Sequence, residues 1–182
     1  FALGMDAYIV AGLIPSISKS FNKSSSAIGQ GVTVFTLFFS ISAPIFSTIL
    51  AKSPVKKILI IAFSIFTLAN IITAISMNYM LYIVSRAIAG LGAGVSSPIA
   101  ISASNHLVSE KHKGKAIAFT VGGMSVGTVI GVPLGLEIAN ISNWRFAMLV
   151  IIVISFIALI SISILMPKFK IEAPPNLKDR FQ

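Results

Sequence analysis

Six long apolar stretches fill this chain almost from end to end, with only short polar gaps between them. They cover 1–17, 28–51, 57–77, 79–105, 114–139 and 144–166. The gaps are Ser18 to Ser26, Lys52 to Lys57, Asn78, Ser109 to Lys113 and Asn140 to Asn143. Roughly 20 apolar residues in a helix cross the ~30 Å hydrocarbon layer of a bilayer. In that medium every backbone N–H and C=O must be bonded within its own segment, so each stretch is predicted to be a helix. The runs are too long for the strands of a membrane barrel. Pro44, Pro98 and Pro133 fall inside the second, fourth and fifth stretches, where a membrane helix tolerates proline at the cost of a kink.

Composition agrees. Hydrophobic residues make up 55% of the 182 positions and charged residues 10%, with a mean hydropathy of +0.95. A soluble domain carries about a quarter charged residues. With no cysteine, a disulfide framework and thiolate metal or redox sites are excluded. The net charge of +9 could point to nucleic acid if it covered one soluble face. Here the cations sit between apolar runs, so membrane lipid, and not nucleic acid, is the expected partner.

That distribution orients the bundle. Lys52, Lys56, Lys57, Lys111, Lys113, Lys115, Lys168, Lys170, Lys178 and Arg180 fall on one side, ten cations against the three of Lys19, Lys23 and Arg145. The positive-inside rule puts the ten in the cytoplasm, and with them both ends of the chain. The expected location is the cell membrane, multi-pass. Residues 1–166 read as a six-helix transmembrane bundle whose first helix is cut short at its start. Residues 167–182, with Pro174 and Pro175, read as the start of a cytoplasmic linker. Trp144 and Arg145 are expected at the outer interface, ring and cation both snorkelling.

Two features stand out within the runs. Gly123, Gly127, Gly131 and Gly135 recur every four residues, as do Gly90 and Gly94, and each set lies on one helix stripe. Small residues let membrane helices approach closely, so a packing groove is expected, one that could also serve as a sliding surface. The second feature is charge. Asp6, Arg86 and Glu137 lie in or near the apolar runs, and a charge at the bilayer centre costs at least ~2.5 kcal/mol. Counted from Pro15 as the outer end, Asp6 is about 13 Å deep; Arg86 is about 10 Å deep. The two can meet in the outer half as a gating or proton-coupling pair. Glu137 is expected near the outer end of helix five in a solvated, interfacial position.

Enzyme and cofactor readings fail on context. Gly123-Met124-Ser125-Val126-Gly127 fits a hydrolase elbow pattern but lies inside a membrane helix, and the only histidines, His106 and His112, belong to the cytoplasmic connection. Gly90-Leu91-Gly92-Ala93-Gly94 has no strand before it, so it is no dinucleotide loop. No metal-ligand set or cofactor is expected. A channel, or the membrane subunit of an ATP-driven exporter, is the alternative class. Neither a potassium-type filter nor a phosphate-binding loop is present in the sequence, and short loops disfavour the exporter.

Several segments resemble the major facilitator superfamily. Leu81 to Gly94, LYIVSRAIAGLGAG, is similar to that family's fourth-helix signature, an arginine followed by a glycine-rich turn. Gly127 to Gly135, GTVIGVPLG with Pro133, resembles the fifth-helix signature of its antiporters and efflux members. Asn143-Trp144-Arg145-Phe146 resembles the opening of helix six in the same group, and Gly4 to Ser18 with Gly29-Gln30 resembles sugar-efflux and drug-efflux permeases of the arabinose-efflux type. The loop 47–57, STILAKSPVKK, keeps the basic residues Lys52, Lys56 and Lys57 of the family's cytoplasmic motif but lacks its acidic residue and both glycines. The resemblance implies a twelve-helix protein of two halves, each a 3+3 inverted repeat, that rock around a solute held near the midplane. It implies proton-coupled efflux of a small solute such as a sugar or a drug-like compound. It gives Arg86 a role in proton coupling, with Asp6 as its partner or as a substrate-site acid, and a second six-helix half as the missing partner domain.

Overall fold

The computed structural model describes residues 1–49, 53–167 and 169, and among these it contains helices and no strand. The helices are α1 (Ala2–Phe21), α2 (Ser25–Ile49), α3 (Val55–Ile75), α4 (Tyr79–His106), α5 (113–141) and α6 (Trp144–Leu165). A short turn, Glu110–His112, precedes α5. Five of the six are long and apolar enough to cross a bilayer. The sixth, α1, is 20 residues long, about 30 Å at 1.5 Å per residue, but Asp6 and Lys19 dilute its apolar run. Among the described residues the chain is thus an all-α bundle of six helices, five of them able to cross a bilayer.

The main departure from the expected boundaries is at the first turn. Helix one does not stop at residue 17; Ser18, Lys19 and Ser20 are helical too. It ends where Asn22 adopts the left-handed conformation (φ 50°, ψ 48°). There the Lys23 N–H donates to the Ser18 carbonyl at 3.1 Å and the Asn22 N–H to that of Lys19 at 3.4 Å, the two bonds of a Schellman cap. The Ser24 hydroxyl then accepts from the Ala27 N–H at 3.2 Å and starts α2 early. Polar residues were a poor guide to helix ends because the caps need them. The other starts are capped as well: Asn78 accepts from the Leu81 N–H at 2.8 Å and Asn143 from the Arg145 N–H at 3.0 Å.

In the middle of α5, Gly127–Gly131 forms a π turn. Pro133 follows at once. A proline ring collides with the carbonyl four residues back, here Val129, and brings no N–H. The widened turn around Val129 relieves that clash, so the expected kink site is a π insertion.

α4 lies between α2 and α3, and α3 packs in turn on α6. α1 touches α2, α4, α5 and α6, whereas α2 and α5 do not pack on each other among the described residues. The glycines explain the tight contacts. A side chain at Gly90 or Gly94 would strike the backbone of Phe35 or Phe39 on α2, and one at Gly92 the backbone of Ala62 and Phe66 on α3. α4 is therefore clamped from both sides. Gly127, Gly131 and Gly135 meet Phe1, Met5 and Ile9 of α1. Gly123 is different: a Cβ there would come no closer than 3.8 Å to the Phe1 nitrogen, an ordinary contact.

Trp144 and Arg145 do not snorkel at an interface. Trp144 is 1% exposed; its indole N–H donates to the Ser20 hydroxyl at 2.9 Å, and its ring meets Phe21 edge-on. Arg145 donates to the Ala74 carbonyl and, at 2.7 Å, to that of Ser76. It thus satisfies the unpaired carbonyls at the C-terminal end of α3, the helix end a cation favours. Together they tie the ends of α1, α3 and α6. Glu137 is exposed, as expected. Lys56 and Lys57 lie in the first turn of α3, while Lys52 and the tail cations Lys168, Lys170, Lys178 and Arg180 lie outside the described residues.

Candidate functional site

α1 and α4 each carry one charged residue into the interior, and they meet. Arg86 Nη1 donates to Asp6 Oδ1 at 2.9 Å, with the side chains 1% and 0% exposed. Arg86 therefore does not reach outward to water. Because α1 continues to Phe21, Asp6 lies fifteen residues from its C-terminal end, about 22 Å at 1.5 Å per residue. Pro15 lies inside the helix and does not end it.

The pair is held by one hydrogen bond. Asp6 Oδ2 and Arg86 Nε have no hydrogen-bond partner among the described residues. Elsewhere among those residues there is one further ion pair, Lys113 with Glu110, at the exposed start of α5. Nothing ionic competes with the buried pair. The guanidinium also lies over the ring of Phe35, with Arg86 Cζ 4.4 Å from the ring centroid, a cation–π contact in a desolvated setting. Tyr82, one turn earlier on α4, is buried and donates to the Ile28 carbonyl at 3.2 Å, locking α4 to α2 beside the pair.

Phe35 also lines a cleft of about 540 Å³ between α1, α2 and α5. It exists because α2 and α5 flank α1 without touching. Gly4 lets α1 approach the Met124 backbone of α5 at the edge of the cleft, Ala7 lies on its floor, and Phe35, Phe39 and Met124 line it further. Phe35 and Phe39 were not singled out in the sequence. Phe35 sits in a largely apolar run, GVTVFTLFFS, and carries no pattern that distinguishes it from a core phenylalanine. The hydrolase-like Ser125 lies on the cleft, inside α5, and donates to the Val121 carbonyl at 3.4 Å. His112 Nδ1 is 2.9 Å from the Ser109 hydroxyl at the start of α5. No group of three or more metal-binding side chains occurs among the described residues.

Apolar helices with outward-facing residues such as Phe119 and Val129, a buried ion pair and a solute-sized cleft define a multi-pass α-helical membrane bundle. A family model described as Major Facilitator Superfamily matches residues 1–181, and the chain belongs to that family. Among relatives, it is 29% identical over 177 residues to the uncharacterized MFS-type transporter YbcL of Bacillus subtilis, covering 97% of this chain and 45% of YbcL. It is 24% identical over 181 residues to the putative transporter AraJ of Escherichia coli, covering 100% of this chain and 46% of AraJ. In fold it is similar to the xylose transporter XylE of E. coli in an inward-open conformation, with a TM-score of 0.80, 18% identity, and coverage of 92% of this chain and 45% of XylE. The chain spans about half the length of these relatives.

Proposed function

We propose that this chain is the first half of a secondary active transporter that exports a small solute in exchange for protons, by alternating access. In this reading residues 1–166 form the first bundle, 167–182 lead through the cytoplasm to a second six-helix half, and the protein resides in the plasma membrane with both ends of this segment inside. The bias of cations toward one side supports that orientation.

The observation that carries the proposal is the buried Asp6–Arg86 pair beside an open cleft. An ion pair in hydrocarbon is costly to assemble and is a weak source of stability. Its value lies in being switchable. Asp6 Oδ2 has no partner among the described residues, so it can accept a proton before the Oδ1 contact with Arg86 is broken. Protonation removes the negative charge, weakens the pair and frees α1 from α4. The closely packed glycine contacts between α1 and α5 then serve as a surface on which the helices shift.

The test uses the full-length protein in inside-out vesicles. Asp6→Asn and Arg86→Ala are expected to insert normally and to lose proton-driven solute flux. Flux equal to wild type in both variants would sink the role of the pair.

A further inference from the structure

We infer that the solute seated against this half is an apolar, aromatic-bearing compound and not a sugar; this rests on the transport reading above. A sugar presents hydroxyls around its whole rim. Each must find a donor or acceptor in the site, or it loses its hydration without replacement. Sites that read hydroxyls are accordingly built from hydrogen-bonding side chains, and they reject compounds that lack those groups.

The cleft between α1, α2 and α5 has the opposite make-up. Among the described residues that line it there is no carboxylate, no basic side chain and no side-chain amide. Its polar side chains are the hydroxyls of Tyr8, Thr36, Ser125 and Thr128. Three of these have already spent their hydrogens on backbone carbonyls. Thr36 donates to Val32 at 2.9 Å, Ser125 to Val121 at 3.4 Å, and Thr128 to Gly4 and Met124 at 3.3 and 3.2 Å. Tyr8 alone keeps a free donor among them. The one strong donor nearby, Arg86, does not line the cleft: it is buried against Phe35 and engaged with Asp6.

What the cleft does offer is aromatic and polarizable surface. Phe35 and Phe39 lie nearly parallel on α2, ring centroids 6.2 Å apart, and Met124 adds a flexible thioether from α5. A planar ring can pack in offset or edge contact against the half-buried Phe39, whose ring is backed by the buried Phe35. The free phenol of Tyr8 across the cleft then supplies a single orienting hydrogen bond. The volume, about 540 Å³, falls in the range of pockets that hold drug-sized molecules.

The experiment follows radiolabelled chloramphenicol, a neutral aromatic compound, and radiolabelled D-xylose and L-arabinose. All are offered to inside-out vesicles carrying the full-length transporter under an imposed pH gradient. Chloramphenicol is expected to be pumped and the pentoses to stay at the level of empty vesicles. Phe39→Ala and Tyr8→Ala are each expected to raise KM for chloramphenicol about tenfold. Tyr8 is 60% exposed, so its truncation spares the core and keeps the test meaningful if Phe39→Ala fails to insert. Pumping of a pentose without chloramphenicol would overturn this inference and leave the transport reading standing, as would an unchanged KM in Tyr8→Ala overturn the placement of the solute here. Movement of none of the three would overturn the transport reading, and this inference with it.

Discussion

Phe35 touches both the charged interior and the cleft: its ring centroid lies 4.4 Å from Arg86 Cζ, and the residue also lines the open space between α1, α2 and α5. At 3% exposure it is a wall with almost no free surface of its own. Cleft and ion pair thus share one aromatic ring.

Removing that ring should open the pair to the cleft. Phe35→Ala is expected to make Asp6 react faster with a carbodiimide, read by mass spectrometry of the labelled peptide. The same change forfeits a cation–π contact worth about 2 kcal/mol when desolvated. An unchanged labelling rate would mean that the wall lies elsewhere.

Breaking the pair from one side should cost more than removing it whole. Arg86→Ala leaves a buried carboxylate uncompensated, at about 3–5 kcal/mol. The double variant Asp6→Ala/Arg86→Ala is expected to melt above the single Arg86→Ala variant in detergent. Additive losses would show that the two side chains do not depend on each other.

Arg145 should act as a helix cap. Arg145→Ala removes two charge-assisted bonds to the Ala74 and Ser76 carbonyls and is expected to cost about 1.5–3 kcal/mol. Arg145→Lys should recover only part of this, because an ammonium lacks the fork that reaches two carbonyls together. Equal melting of the lysine variant and wild type would refute the geometry.

The glycines should separate into two groups. Gly90→Leu and Gly94→Val drive a side chain into the α2 backbone and are expected to block stable insertion. Gly114→Ala and Gly122→Ala meet nothing within 4 Å and are expected to be neutral or to stabilise by roughly 0.5–1 kcal/mol, since alanine is the better helix former. Expression and melting of the four variants check this.

Orientation can be read directly, because these 182 residues contain no cysteine. Met77→Cys, at a position 89% exposed before α4, is expected to react with an impermeant maleimide in intact cells. Gly114→Cys, at the start of α5, is expected to react only in inside-out vesicles. The reverse pattern would invert the bundle.

Much of this protein was decided by the run of residues alone. Six apolar spans in near succession leave no fold but a helical membrane bundle, because hydrocarbon offers the backbone no other partner. Asp6 and Arg86 were also visible there, since a charge in an apolar run must find a partner or water. Packing settled what solvent does not. That α1 runs on to Phe21 depends on a left-handed cap at Asn22, and that Trp144 and Arg145 lock helix ends depends on three chain segments meeting. Phe35 was hidden entirely: a phenylalanine among apolar residues satisfies the bilayer equally well facing lipid, core, cleft or guanidinium. Hydrophobicity sets which segments leave water; only the meeting of distant side chains sets what each one faces.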